Sequence, residues 1–292
     1  MSEPGGQMAA VGIQWKTADD PMQPLVSLSE ASDISTPNTF ESLHQDLTDI
    51  GLESGSTVMV HSSLGRVGWT VGGPVTVIRA LLEVLGPDGT LVMPAESPYV
   101  SDPSSWDDER VSPDWHETIR AHLPVFDPLT TPTTMGAIPE AFRTYPGTIR
   151  SIHPMVSVCA NGRYANEITA EHSLDFCEGR GTPFEKLYDL DAQTLLLGVG
   201  FNRCTSLHYA ESLVPARRTT VHRFPIVKDG ERIWVDSPNM ANDDGVHFPV
   251  VGEKFVATGA VQSGCVGSAD SMIFGTRHLV DFAELYFDRV LG

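Results

Sequence analysis

The sequence predicts an α/β protein, and three observations carry that expectation. Short aliphatic runs bounded by glycine alternate along the chain with segments whose apolar residues recur at helical spacing. One such alternation, Thr57 to Met93, reads as a complete strand, loop, helix and strand. The composition, 41% hydrophobic and 20% charged over 292 residues, is that of an ordinary globular protein able to bury a sizeable core. Length alone admits one large domain or two small ones.

Residues 1–34 are rich in Gly, Ser, Pro and acidic side chains without a sustained period, which predicts an irregular arm carrying no chemistry. The fold starts at Pro37, where Phe40, Leu43, Leu47 and Ile50 fall at helical spacing and Gly51 supplies a stop. Thr57 to His61 reads as a buried strand, followed by Ser62, Ser63 and a loop punctuated by glycines through Gly72 and Gly73. Val77, Ile78, Leu81, Leu82 and Leu85 then form one helical face ending at Gly86, ahead of a strand at Thr90 to Met93.

From Pro94 to Thr134 the composition shifts to Pro, Ser, Asp and Trp with little periodicity. A connection of that length is either functional or a surface insertion. Met135 to Arg143 reads as a helix, Met155 to Ala160 as extended, Thr194 to Val199 as a core strand and Thr205 to Val214 as a helix. Phe224 to Val227 and Arg232 to Val235 flank Lys228-Asp229-Gly230-Glu231, a hairpin pattern. After a polar stretch, Thr276 is placed to cap a last helix carrying Leu279, Val280, Phe282, Ala283, Tyr286 and Val290. No internal repeat interrupts the series.

Thirty-eight acidic against 19 basic side chains give a net charge of -19, a field that repels nucleic acid and anionic membranes. The same field draws a polycation into a cleft if carboxylates are concentrated there, and otherwise serves solubility. Cys159, Cys177, Cys204 and Cys265 are widely spaced, without a Cys-x-x-Cys pair, which points to free thiols rather than a disulfide scaffold or zinc clip. The first 20 residues lack the pattern of a secretory signal, and no run approaches the ~18 apolar residues of a membrane span, so a cytoplasmic protein is expected.

Four segments could carry chemistry. The loop from His61 to Gly73 combines Ser62 and Ser63 with glycines between a strand and a helix N-terminus, where exposed N–H groups can hold phosphate; it is neither a Walker loop nor a Gly-x-Gly-x-x-Gly fingerprint, and an ordinary tight turn reads the same. In Thr205-Ser206-Leu207-His208-Tyr209-Ala210-Glu211, His208 and Glu211 share a helical face, so the carboxylate can orient the imidazole; this suits a general base and equally a structural pair. No His-Glu-x-x-His or other ligand spacing supports a metal, and no Gly-x-Ser-x-Gly elbow supports a serine nucleophile. Asp102, Asp107, Asp108 and Glu109 interleave with Trp106 and Trp115 and continue to Asp127, which makes either a pocket for a cationic ligand or a solvated lid. Arg150-Ser151-Ile152-His153-Pro154 sets a cation, a hydroxyl and an imidazole before a predicted strand, where Arg150 could meet a phosphate or serve the loop.

Taken in order, Val60-His61-Ser62-Ser63-Leu64, Thr90-Leu91-Val92-Met93-Pro94, Phe126-Asp127-Pro128, Arg150-Ser151-Ile152-His153-Pro154, Leu196-Leu197-Gly198-Val199-Gly200 and Leu207-His208-Tyr209-Ala210-Glu211 resemble the aminoglycoside 3-N-acetyltransferase family. The resemblance covers residues 35–292 and implies a single α/β domain with a mixed central sheet flanked by helices. It implies acetyl-coenzyme A (acetyl-CoA) as donor and a cationic small molecule, an aminoglycoside antibiotic, as acceptor, with resistance as the outcome. Carried over residue by residue, His61, Ser62, Ser63, Gly72 and Gly73 would take the pantetheine and phosphate portion, and Arg150, Ser151 and His153 would lie beside it. His208 would be the base that frees the attacking amine, Glu211 its support, and Thr205 or Ser206 a donor to the thioester oxygen or leaving thiolate. Asp102, Asp107, Asp108 and Asp127 would hold the polycation, and Cys204 would be structural. No metal is expected, and a monomer and a homodimer are both open. Two other readings keep the resemblance: an acetyltransferase of this fold with a different cationic amine acceptor, and a coenzyme A-binding protein without catalysis.

Overall fold

The computed structural model describes residues 36–241, 243 and 245–292. The predicted arm, residues 1–34, lies outside the described residues. Among the described residues, nine strands run in chain order as β1 Thr57–Ser62, β2 Thr90–Pro94, β3 Ile149–Arg150, β4 Val158–Gly162, β5 Gln193–Leu197, β6 Thr219–Lys228, β7 Glu231–Met240, β8 Gln262–Val266 and β9 Ala269–Gly275. The helices are α1 Phe40–Asp49, α2 Leu64–Val67, α3 Pro74–Leu85, α4 His116–His122, α5 Ala137–Arg143, α6 Ala165–Thr169, α7 Pro183–Asp189, α8 Ser206–Leu213, α9 Phe248–Val256 and α10 Thr276–Leu291.

Seven strands form a mixed sheet in the order β3-β4-β2-β1-β5-β9-β8, with β6 and β7 as a separate hairpin. Only β1 is parallel to both of its neighbours, β2 and β5, because the α3 crossover returns the chain in the same direction. The sheet is covered on both sides, so its inner strands are apolar on both faces. Val58 and Val60 of β1 meet Leu43 and Leu47 of α1, Ile78 and Leu81 of α3 and Phe142 of α5. Met59 faces the other way, toward a layer containing Phe184 of α7, Leu207 of α8, Phe255 of α9 and Phe287 of α10. Each such fully buried side chain contributes about 1.5–3 kcal/mol.

Several boundaries differ from the expectation for local reasons. Met155 and Val156 precede β4 rather than joining it, because their N–H groups donate to His153 Nδ1 and fold the chain into a turn. The hairpin strands are ten residues each, longer than the apolar runs that signalled them. Gly275 occupies the cap of α10, and the Thr276 hydroxyl instead bonds Thr194 of β5 at 2.8 Å. The stretch after the hairpin holds α9, β8 and β9. The 94–134 segment carries one α-helix, α4, and packs on the hairpin: Asp102 N–H donates to Arg223 O, and Arg232 donates to Arg120 O and Leu123 O. Among the described residues no helix is long and apolar enough to cross a membrane.

Candidate active site

The chain leaves β2 and β5 on opposite sides of β1, and the carboxyl ends of parallel strands at such a switch point form a crevice where ligands bind in open α/β sheets. Gly198 lets the chain turn there. Its φ is +70°, and a Cβ would come within 2.6 Å of Arg66 Cβ on α2, so only glycine permits this exit from β5. The turn leads into α8, which carries the pair singled out in the sequence.

On α8, His208 Nδ1 lies 3.9 Å from Glu211 Oε2, outside hydrogen-bond range but within strong Coulombic reach. Glu211 is fully buried and takes two bonds from Arg218, Nε to Oε1 at 2.8 Å and Nη2 to Oε2 at 3.0 Å. Arg218 also reaches Asp243 at 3.5 Å, and Asp243 accepts the N–H groups of His247 and Phe248 at the start of α9. Phe248 in turn lies edge-on to the His208 ring, centroids 4.6 Å apart. The imidazole is therefore fixed by packing and backed by a buried carboxylate, while 19% of its side chain stays exposed. This is the arrangement of a positioned proton acceptor.

Polar atoms without partners occur on α8 and at the end of β1. His61 Nε2, Ser62 Oγ, Thr205 Oγ1, Ser206 Oγ and His208 Nδ1 are buried with no hydrogen-bond partner among the described residues. Each such group costs about 1–3 kcal/mol. On alternation, His61 follows Met59 toward the α8 layer and Ser62 follows Val60 toward α3. Burial pulls the His61 imidazole down to about 4, so it is neutral at neutral pH. Gly72 and Gly73 adopt φ of +78° and +60° and deliver the chain into α3, whose cap has no side-chain partner. Unsatisfied donors and acceptors at one sheet end, beside an uncapped helix start, fit a donor molecule rich in amide and phosphate groups such as acetyl-CoA.

The profile of the aminoglycoside 3-N-acetyltransferase family matches residues 59–288. The chain belongs to that family. It is similar to the SPbeta prophage-derived aminoglycoside N(3')-acetyltransferase-like protein YokD of Bacillus subtilis, 40% identical over 253 residues that cover 86% of this chain and 93% of that protein. The crystal structure of YokD superposes with a TM-score of 0.84 at 39% identity, covering 87% of this chain and 95% of that one. Aminoglycoside N(3)-acetyltransferase VII of Streptomyces paromomycinus is 35% identical, covering 88% and 93% of the two chains. The structure of AAC-IIIb in a binary complex with CoASH matches with a TM-score of 0.79 at 32% identity, covering 88% and 98%. Membership makes the chain an acyltransferase with acetyl-CoA as donor.

The other residues singled out in this acetyltransferase are placed as follows. Arg150 has its guanidinium occupied by Ser157 Oγ, Thr131 O, Ala95 O and Ser97 Oγ, over the Phe126 ring, so it clamps the 95–131 segment to β3 instead of facing open space. Ser151 and His153 are fully buried: Ser151 Oγ accepts the Val158 N–H and bonds His172 Nδ1, and His153 organises the 153–156 turn. Asp102 is buried in a two-pronged pair with Arg120, 2.7 and 2.8 Å, which holds its carboxyl well below the usual range. Asp108 is clasped by Arg110, and Asp127 accepts N–H groups of Leu129 and Thr130 in its own turn. Asp107 is exposed. Asp102, Asp108 and Asp127 are thus engaged in building the loop, while Glu109 and Asp114, like Asp107, are exposed.

Sequence reasoning missed the carboxylates that do cluster inside. Glu96, two residues beyond β2, is pushed up to about 7 by burial and then by the charge of Glu178, against a smaller downward pull from Arg203. Glu178 is 7% exposed and accepts the Cys177 thiol at 3.1 Å. The hairpin strand β7 packs against α8, and its Asn239 bonds both His222 of β6 and Cys177 beside Glu178, which brings this end of the hairpin close to the helix that carries His208. The only local signal was the composition Pro-Ala-Glu-Ser-Pro around Glu96, indistinguishable from a turn. Burial raises the Cys204 thiol to about 12, in keeping with a structural role.

Proposed function

We propose that this chain transfers the acetyl group of acetyl-CoA to the 3-amino group of an aminoglycoside by direct attack, and that this confers resistance to the antibiotic. The observation that carries the reading is His208: a packed, partly open imidazole 3.9 Å from a buried carboxylate, at the sheet end where the unpartnered hydroxyls lie. An ammonium has no lone pair for attack, so His208 removes its proton and the resulting imidazolium is stabilised by Glu211. Arg218 holds the Glu211 carboxylate in place through two hydrogen bonds.

His61, Ser62, Ser63, Gly72 and Gly73 would hold the donor, which supplies an acetyl group already activated as a thioester. Thr205 offers an unpartnered hydroxyl to the oxygen or sulfur on which negative charge grows, with Ser206, whose hydroxyl also faces the Cys204 thiol, beside it. Glu96 and Glu178 are the carboxylates available to the other ammonium groups of the acceptor, with exposed Asp107 at the rim. Thiol release from acetyl-CoA against a panel of aminoglycosides, wild type beside His208→Ala, tests the reading. Turnover in wild type with a loss of about 100-fold or more in the variant is expected. Turnover only with other cationic amines would move the acceptor class, and equal rates in the two proteins would move the base.

A further inference from the structure

The hairpin contributes a side chain whose chemistry is fixed from behind. Asn239 Oδ1 accepts the Cys177 N–H at 3.1 Å, which settles the orientation of its amide. Its two amide hydrogens then go to Cys177 Sγ at 2.9 Å and His222 Nδ1 at 3.2 Å. Because an amide nitrogen can only donate, His222 Nδ1 is an acceptor and the ring carries its proton on Nε2. Cys177, kept as a thiol by burial, passes its own hydrogen to Glu178 Oε2 at 3.1 Å. One relay, centred on Asn239, thus sets both an N–H donor on His222 and an acceptor carboxylate on Glu178. His222 is half-buried, and its Nε2 has no hydrogen-bond partner among the described residues and is not sealed in.

We propose that His222 is a specificity-determining residue whose Nε2–H donates to a hydroxyl oxygen of the acceptor, next to an ammonium group taken by Glu178. The inference rests on the acceptor being an aminoglycoside. A polyhydroxylated polyamine presents neighbouring ammonium and hydroxyl groups, and each needs the opposite kind of partner. A carboxylate serves the first. A second carboxylate would serve the hydroxyl oxygen badly, and a fixed cation would repel the polycation; a neutral imidazole N–H does neither. Burial lowers the affinity of His222 for a second proton, which keeps it in that neutral form.

The test compares wild type, His222→Phe and His222→Gln in steady-state thiol release with an aminoglycoside that wild type turns over. Gln restores an N–H donor near the position of Nε2, while both variants lose the bond to Asn239, so their difference isolates the donor. The acceptor KM should rise about tenfold in His222→Phe and recover most of that in His222→Gln, with kcat and the acetyl-CoA KM within about twofold; that is the scale of one hydrogen bond. A series of acceptors each lacking one hydroxyl, assayed on wild type, gives the same answer if His222→Phe does not fold: one analogue should show the tenfold loss. Nitrogen-15 shifts of the ring should report the proton on Nε2. Equal KM values in all three proteins, no sensitive hydroxyl in the series, or a proton on Nδ1 would overturn the assignment of His222 while leaving the acetyltransferase reading in place. Absence of wild-type turnover on every aminoglycoside would overturn both.

Discussion

Glu211→Gln separates the two roles the structure gives that carboxylate. The substitution keeps the shape and one oxygen for Arg218 but removes the charge. Breaking a buried ion pair costs about 3–5 kcal/mol. Here Arg218 is 26% exposed and retains Asp243 at 3.5 Å, which reduces the expected loss to about 2–3 kcal/mol. For a chain of this size that lowers Tm by about 4–12 °C. The catalytic effect is separate. A unit charge about 4 Å from the imidazolium contributes on the order of 4 kcal/mol at an effective dielectric of 20, and Arg218, bonded to the same carboxylate, cancels about half. The remaining 2 kcal/mol corresponds to roughly a 30-fold fall in kcat. Differential scanning fluorimetry reads the first quantity and thiol release at saturating donor and acceptor reads the second. A lower Tm with kcat within twofold of wild type would show that Glu211 serves only Arg218, and the electrostatic support of His208 would have to be abandoned. An unchanged Tm would refute the ion-pair reasoning.

Other substitutions probe different parts of the same scheme. His208→Ala should lower kcat by at least about 100-fold with little change in Tm, since its Nδ1 makes no hydrogen bond to lose; a matching fall in Tm would mark a structural residue instead. Asp102, whose carboxyl is held low by Arg120, stabilises the fold fully above the ordinary carboxylate range and loses that contribution as pH falls from there through its own, much lower, folded-state value; the stability gap between wild type and Asp102→Asn, about 1–3 kcal/mol at pH 7, should therefore begin to narrow below about pH 4 in acid urea titrations and close only well below about pH 3. Glu96 has the opposite sign. Its folded-state value of about 7 lies above the unfolded one, so wild-type stability should decline by up to about 3 kcal/mol between pH 4.5 and 7, a slope that Glu96→Gln removes. Arg150→Lys should lower Tm without changing the acetyl-CoA KM, because a lysine cannot span four acceptors; a weakened donor with an intact fold would place Arg150 beside the cofactor after all.

How much of this was legible in the sequence depended on the range of the interaction. The β1, α3, β2 unit was readable because its periodicity is local and its ends are marked by Gly51, Gly73 and Gly86, each with φ above +60° or at it. The His208 and Glu211 pair was readable for the same reason, being one helical turn apart. Arg218 was not, since its bond to Glu211 spans a turn and a strand start with no pattern of its own. The β8–β9 hairpin was missed because β8 is exposed along four of its five residues, so no alternation announced it. Ser151 and His153 sit in a string that signals the family, yet every polar atom named there is spent inside the protein, on His172, Val158, Met155 and Val156.

The acidic loop carries the more general lesson about charge. A net charge of -19 and a run of carboxylates between Asp102 and Asp127 suggested that the loop itself is the cation site. In the fold, Asp102 is neutralised by Arg120, Asp108 by Arg110, and Asp127 by its own backbone, so these residues contribute shape and not attraction. Two inner carboxylates available to a ligand, Glu96 and Glu178, come from separate loops 82 positions apart, and the charge of Glu178 adds to burial in raising the cost of ionising Glu96. A bound ammonium offsets that cost by favouring the ionised form of Glu96. Acceptor binding should therefore take up the charge that the empty site suppresses, and the acceptor KM should fall as pH rises through 7, most steeply for the most highly charged aminoglycoside, and should lose that dependence in Glu96→Gln. If the KM is flat with pH in wild type, Glu96 does not face the acceptor, and the cationic groups are held elsewhere.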